Sequence, residues 1–138
     1  MFDEILVQKC VSGREFSCGV MEINGEVVAL TPSEVVLDEG MIFDYNAKYF
    51  VSGLEVTPAQ VDEKLKKRIQ STALNTHNAT GCKDYSRTDM IFGENGELVV
   101  LEINTVPGMT KVSFIPAQMK DMGYSVTDFI KGMMEKYK

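Results

Sequence analysis

Two short stretches hold residues whose types and spacing suit phosphate and metal chemistry. They are Arg87-Thr88-Asp89 and, beyond an Asn95-Gly96 turn signal, Glu102-Ile103-Asn104. Asn-Gly is a strong signal for a two-residue hairpin loop. Taking Asn95-Gly96 as the whole loop pairs Glu94 with Glu97. Counting outward then sets Asp89 opposite Glu102 and Arg87 opposite Asn104. Side chains alternate along a strand, so Arg87 and Asp89 share one face, and Glu102 and Asn104 share the matching face of the partner. Two carboxylates, an amide oxygen and a guanidinium therefore converge. Oxygen ligands of this type suit Mg²⁺ or Mn²⁺, which commonly bridge substrate phosphates. Arginine suits a phosphate or a developing oxyanion. The same residues would also fit a solvated polar face on an ordinary hairpin. Leu98, Val99, Val100, Leu101 and Ile103 make both faces of the return strand apolar, which implies burial on both sides. Opposed acids destabilise a ladder, and buried acids need a compensating cation. That argument favours the metal site.

Weaker candidates lie elsewhere. Lys48 sits in an aromatic stretch, residues 43–50, and could clamp a phosphate or be a surface lysine. Glu15 follows Gly13-Arg14 at a strand start and could bind ribose hydroxyls or be a solvated charge. Pro107-Gly108-Met109-Thr110 could present backbone N–H groups to an anion or be a plain turn. Neither a Walker loop nor a GxGxxG run occurs, so nucleotide binding would not be of those types. His77 is the only histidine and has no Cys or His at metal-ligand spacing, which makes it a structural or exposed residue.

The elements that must position these groups follow from periodicity and turn chemistry. Residues 4–11 and 15–23 read as strands, and Asn24-Gly25 as the hairpin into a strand over 26–30. Residues 34–37 form a short strand. Residues 38–53 are polar, aromatic and aperiodic, and read as a functional loop that nucleotide and neighbouring domains would order. Thr57-Pro58-Ala59-Gln60 offers a cap, a first-turn proline and a capping box, with Val61, Leu65 and Ile69 on one helix face and Gly81 as the stop. Strands over 85–92 and 98–104 make the second hairpin. A helix near 115–122 follows, and Ser125 opens a last helix whose buried side is Phe129, Ile130 and Met133. Strands joined by short turns, with helices apart from them, give an α+β domain: an antiparallel sheet with flanking helices.

Bulk properties narrow the function. A length of 138 residues suits a single domain, and 44% apolar residues suffice for a core. The net charge of −6 argues against non-specific binding to a nucleic-acid backbone. No apolar run reaches the roughly 18 residues of a membrane span, and Met1-Phe2-Asp3-Glu4 has no signal-peptide pattern. Cys10, Cys18 and Cys82 form no CxxC pair, as expected for reduced thiols in the cytoplasm.

These motifs together resemble the D-alanine–D-alanine ligases of the ATP-grasp group. Phe43-Asp44-Tyr45-Asn46-Ala47-Lys48-Tyr49 resembles their ω-loop. Arg87-Thr88-Asp89 and Leu101-Glu102-Ile103-Asn104-Thr105-Val106-Pro107-Gly108-Met109-Thr110 resemble their C-terminal signature, and Ser113-Phe114-Ile115-Pro116 the segment after it. Gly13-Arg14-Glu15-Phe16 resembles the nucleotide-binding strand. Arg-x-Asp and Glu-x-Asn alone would indicate only the wider ATP-grasp group. The resemblance implies that residues 1–138 are one ATP-grasp C-terminal domain, lacking the family's N-terminal domain and therefore inactive alone. It implies that Asp89, Glu102 and Asn104 hold two Mg²⁺ or Mn²⁺ ions, and that Lys48 contacts ATP phosphates. Glu15 would hold the ribose, Gln8, Lys9 and Val11 would line the adenine pocket, and Leu101 would pack on the base. Gln8 stands where the family usually has glutamate. Arg87 and the Gly108 backbone would stabilise the tetrahedral intermediate, Ser113 and Phe114 would bind the second D-alanine's carboxylate, and Tyr49 would join the closing loop. Lys111-Val112 departs from the family's usual Ser-His. The implied chemistry is ATP-driven joining of two D-alanines through an acyl phosphate, for peptidoglycan synthesis. The implied partners are ATP, D-alanine and the N-terminal ligase domain, with a homodimer as one assembly of the full-length enzyme. Another ATP-grasp carboxylate–amine ligase and a non-catalytic nucleotide- or metal-binding module are the alternatives.

Overall fold

The computed structural model describes residues 4–23, 25–36 and 55–138. Its axis is strand β1 (Gly13–Ile23), whose residues Phe16 to Met21 are all buried. β1 turns at Gly25, which has the left-handed φ of +83° that a tight turn needs, into β2 (Glu26–Ala29). β3 (Ser33–Val35) and the two-residue β4 (Glu55–Val56) extend the sheet on one side of β1. After helix α1 (Glu63–Ala79), β5 (Tyr85–Gly93) pairs with β1 from Gly13 to Met21, and β6 (Leu98–Asn104) lies outside it. Helices α2 (Phe114–Asp121) and α3 (Val126–Lys136) follow. Every pairing is antiparallel, in the order β4-β3-β1-β5-β6, with β2 also on β1. The α+β expectation holds.

Alternation along β1 builds a core on each face of the sheet. Phe16, Cys18 and Val20 point to one face, where Ile69 and Ala73 of α1 meet them together with Met90 of β5. Fully burying Ile69 or Met90 stabilises by roughly 1.5–3 kcal/mol each. Met21 points to the other face and packs with Leu30, Ile115 and Met119 under α2. Gly19 allows this close seating, because a Cβ there would lie 2.4 Å from Cδ1 of Ile115 and 2.9 Å from Oε1 of Gln118. α2 packs over the Gly19–Met21 end of this face, and its Gln118 reaches back to the Ser17 carbonyl. Toward the other end the same face carries Glu15, Ser17 and Asp89.

Several expectations are corrected. Residues 4–11 form no strand. They have no ladder partner among the described residues, and Ile5, Leu6 and Val7 stand more than 80% exposed. α1 does not begin at Pro58. The Thr57–Pro58 bond is cis, the Ala59 N–H is engaged by the Pro32 carbonyl at 2.8 Å, and Asp62 caps the helix by accepting from the Leu65 N–H at 2.7 Å. Leu65 and Ile69 do share the core-facing side of α1, and Gly81, with φ +69°, follows its end, but Val61 precedes the Asp62 cap and packs on the core from outside the helix. β6 is not buried on both sides. It is the edge strand of the described sheet, with Val100 and Leu101 39% and 49% exposed. Ile130 is exposed, while Phe129 packs on the core under α2 and stacks edge-on against Tyr85. The loop expected over residues 38–53, with Lys48 and Tyr49, lies outside the described residues.

Candidate functional site

The site is assembled by the β5–β6 hairpin, and its turn differs from the two-residue loop expected. Gly93 pairs with Glu97, the Gly93 N–H donating to the Glu97 carbonyl at 2.8 Å, so Glu94, Asn95 and Gly96 all lie in the loop. Gly96 takes the left-handed φ of +82° that closes it. Glu94 therefore does not face Glu97. The ladder then runs Phe92–Leu98, Ile91–Val99 and Met90–Val100, shifted by one from the expected count. Leu101 bulges out as an extra residue, and beyond it Asp89 pairs with Glu102 and Arg87 with Asn104. The expected pairings are found, produced by two irregularities that cancel.

All four side chains meet. Arg87 makes a two-pronged pair with Asp89, Nε to Oδ1 at 2.9 Å and Nη2 to Oδ2 at 2.6 Å. Asn104 Nδ2 donates to Asp89 Oδ2 at 3.3 Å and to Glu102 Oε1 at 2.9 Å. Asp89 and Arg87 are mostly buried, whereas Glu102 is exposed. The acid pair thus has compensation of its own: a guanidinium on Asp89 and water on Glu102. Burial alone therefore does not demand a metal here.

What remains is the donor set. Among the described residues, no group of three or more His, Cys, Asp or Glu side chains could hold a metal ion. The oxygens of Asp89, Glu102 and Asn104 are a smaller, all-oxygen set. It suits Mg²⁺ or Mn²⁺, which keep waters and use few protein ligands. The amide nitrogen of Asn104 bridges the two carboxylates, and turning the amide would present its oxygen on that side, as a third ligand would require.

Glu15 lies beside this cluster on β1, two residues before Ser17, which pairs with Asp89. Its carboxyl is pushed above the ordinary glutamate range, first by burial and then by the charge of Asp89. Arg87 opposes the shift and Glu102 adds to it. Ser17 was not expected from sequence. Its buried hydroxyl donates to Asp89 Oδ1 at 2.6 Å. Its signal was there: it shares the Glu15 face of a strand whose other face is Phe16, Cys18 and Val20.

The loop after β6 returns to this face. Phe114, at the start of α2, is buried with the Arg87 guanidinium 5.5 Å over its ring. Ser113 precedes it and folds its hydroxyl back, 2.8 Å from Thr110 Oγ1, accepting from the Thr110 N–H at 3.2 Å. Gly108 lies under that hydroxyl, since a Cβ there would come within 2.8 Å of it. Leu101 is half exposed at the bulge, Val11 is partly buried, and Gln8 and Lys9 are exposed on the irregular segment before β1. Arg14 is structural, held by Glu34 at 2.7 Å and 2.8 Å. His77 is also structural, buried with Nδ1 2.7 Å from Ser86 Oγ. Cys10, Cys18 and Cys82 are free thiols. A groove of about 540 Å³ between the end of β1 and α3 shares no lining residue with the acid cluster. No helix among the described residues is long and apolar enough to cross a membrane.

Residues 1–135 match the family model described as D-ala D-ala ligase C-terminus. The chain is 41% identical to the D-alanine–D-alanine ligase of Sinorhizobium medicae, over 96% of this chain and 44% of that protein. Among solved structures, it is similar to VanG D-Ala:D-Ser ligase from Enterococcus faecalis, with a TM-score of 0.75 and 34% identity over 94% of this chain and 38% of that one. It is also similar to D-alanyl-alanine synthetase A from Vibrio cholerae, with a TM-score of 0.74 and 30% identity over 88% and 37% of the two chains. The chain thus spans less than half the length of these relatives.

Proposed function

The chain belongs to the D-ala D-ala ligase C-terminus family, and from that premise we propose that it supplies the ATP- and cation-binding part of a cytoplasmic D-alanine–D-alanine ligase serving peptidoglycan synthesis. Its fold is that of an ATP-grasp C-terminal domain. The observation that carries the reading is the convergence of Arg87, Asp89, Glu102 and Asn104 on one sheet face beside Glu15.

In this reading the first D-alanine carboxylate attacks the γ-phosphate of ATP and releases ADP, giving an acyl phosphate. The amine of the second D-alanine then attacks the acyl carbon and phosphate leaves. Phosphoryl transfer asks the protein mainly for positioning and charge stabilisation. Asp89, Glu102 and Asn104 would hold two Mg²⁺ or Mn²⁺ ions, which neutralise phosphate oxygens when bound. Arg87, released from part of its pairing with Asp89, would stabilise charge on the tetrahedral intermediate together with the Gly108 N–H. Ser113 and Phe114, at the start of α2, would receive the second substrate's carboxylate, which a helix N-terminus favours. Glu15 would accept from ribose hydroxyls, with Leu101, Val11, Lys9 and Gln8 around the adenine. Lys48 on the phosphates and Tyr49 in the closing loop rest on the resemblance of their motif. The whole reaction would need the family's N-terminal domain, in a full-length enzyme for which a homodimer is one assembly. The likeness to a D-Ala:D-Ser ligase supports a second reading, D-serine as acceptor.

The experiment titrates ATP into the chain with and without Mg²⁺, and measures phosphate release with D-alanine and with D-serine. Mg²⁺-dependent ATP binding without turnover by the chain alone is expected. ATP binding indifferent to Mg²⁺, or its absence, contradicts the reading.

A further inference from the structure

We propose that Ser17 is a positioning residue that divides the work of the Asp89 carboxylate, tying Oδ1 to the sheet and leaving Oδ2 as the oxygen offered to a cation; this rests on the functional reading above. Oδ1 accepts from the Ser17 hydroxyl at 2.6 Å and from Arg87 Nε at 2.9 Å, and no residue of β6 touches it in the hydrogen-bond pattern. Oδ2 accepts from the other prong of Arg87, Nη2 at 2.6 Å, and is the oxygen that meets the Asn104 amide at 3.3 Å, and through it the Glu102 carboxylate. A hydroxyl donor on one oxygen fixes both the rotation of the carboxylate and its tilt. Outer partners of this kind hold a ligand in the geometry the ion requires.

Ser17 is itself held from the far side. Gln118 of α2 is fully buried. Its Nε2 donates to the Ser17 carbonyl at 2.9 Å and to Ser33 Oγ at 3.0 Å, and its Oε1 accepts from the Gly19 N–H at 2.8 Å. Three bonds from one buried amide lock β1 at Ser17 to β3 and to α2. The same helix carries Phe114, under Arg87. The acid that would meet the cation and the helix whose start would meet the acceptor are thus held in one register through Ser17 and Gln118. A buried, fully satisfied network rigidifies its members, and one unpaired member would be costly.

The test is a Mn²⁺ titration followed by the paramagnetic resonance of the free ion, on the parent chain, Ser17→Ala, Ser17→Thr and Glu102→Gln, with thermal melts on all four. Ser17→Ala should melt as a folded protein yet bind Mn²⁺ about 10–100-fold more weakly, the usual range for an outer-shell partner. Ser17→Thr, which keeps the hydroxyl, should bind like the parent. Glu102→Gln should lose the ion. Parent-like affinity in Ser17→Ala, with Glu102→Gln defective, overturns the positioning role and leaves the cation site standing. Equal weakening in folded Ala and Thr variants also overturns it, because the hydroxyl would then not be the cause. Absence of Mn²⁺ binding by the parent overturns both.

Discussion

Asp89 stands opposite Glu102 because Leu101 is an extra residue in β6, bulged from the ladder between Val100, which pairs with Met90, and Glu102 itself. Bulges kink a strand and often lie beside active sites. Deleting Leu101 leaves a regular ladder in which Asp89 still faces Glu102, while the half-exposed apolar side chain beside the acids is lost. Mn²⁺ affinity should persist and ATP affinity should fall. Loss of Mn²⁺ binding equal to that of Glu102→Gln would show that the bulge itself aims the acids.

Arg87 is the cation that Asp89 relies on in the structure. Its side chain and that of Asp89 are 14% and 13% exposed. Arg87→Met should destabilise by about 3 kcal/mol, the low end for removing one partner of a buried pair. Mn²⁺ should restore part of the loss by neutralising the orphaned carboxylate. Thermal melts with and without Mn²⁺ check this, and a loss indifferent to the ion would separate the pair from the cation site.

Glu15 supplies a pH dependence. Its folded-state pKa lies above its unfolded value because of burial and the charge of Asp89. The folded state therefore holds the proton more tightly. That stability is fully present below the unfolded carboxyl pKa and is lost as pH rises through the folded value. Glu15→Gln should abolish this loss, so that the variant melts higher than the parent at neutral pH but binds ATP more weakly. A stability–pH curve between pH 4 and 7 with the same slope for both proteins would contradict it.

Thr88 offers a stability test away from the site. Its hydroxyl is buried without a hydrogen-bond partner among the described residues. An unsatisfied buried hydroxyl costs about 1–3 kcal/mol, and an apolar group of the same shape removes that cost. Thr88→Val should stabilise by about 1 kcal/mol in denaturant unfolding. A lower midpoint would mean that the hydroxyl has a partner in solution.

Strand and helix positions were legible wherever local chemistry decides them. Asn24-Gly25, Gly81 and the alternation in β1 suffice without knowledge of the rest. Elements decided by distant partners were not. Residues 4–11 have strand-like apolar content but no ladder to join among the described residues, and Pro58 looks like a helix start until the Ala59 N–H is seen engaged by Pro32. The cluster of Arg87, Asp89, Glu102 and Asn104 was legible, although the loop length assumed was short by one and the bulge made it good. Burial on both faces of β6 was misread, because an apolar pattern does not reveal that a strand lies at an edge. Gln118 was unreadable, since its role depends on strands far from it in sequence.

The central claim is that Asp89, Glu102 and Asn104 bring a divalent cation to a nucleotide. It is tested most directly by calorimetric titration of Mg·ATP into the parent chain and into Glu102→Gln, with a thermal melt of each without metal. Glu102→Gln removes a charge facing Asp89, so it should melt no lower than the parent while losing Mg²⁺-dependent ATP binding. Mg·ATP binding by Glu102→Gln as tight as that of the parent would show that the cluster is structural and would contradict the account.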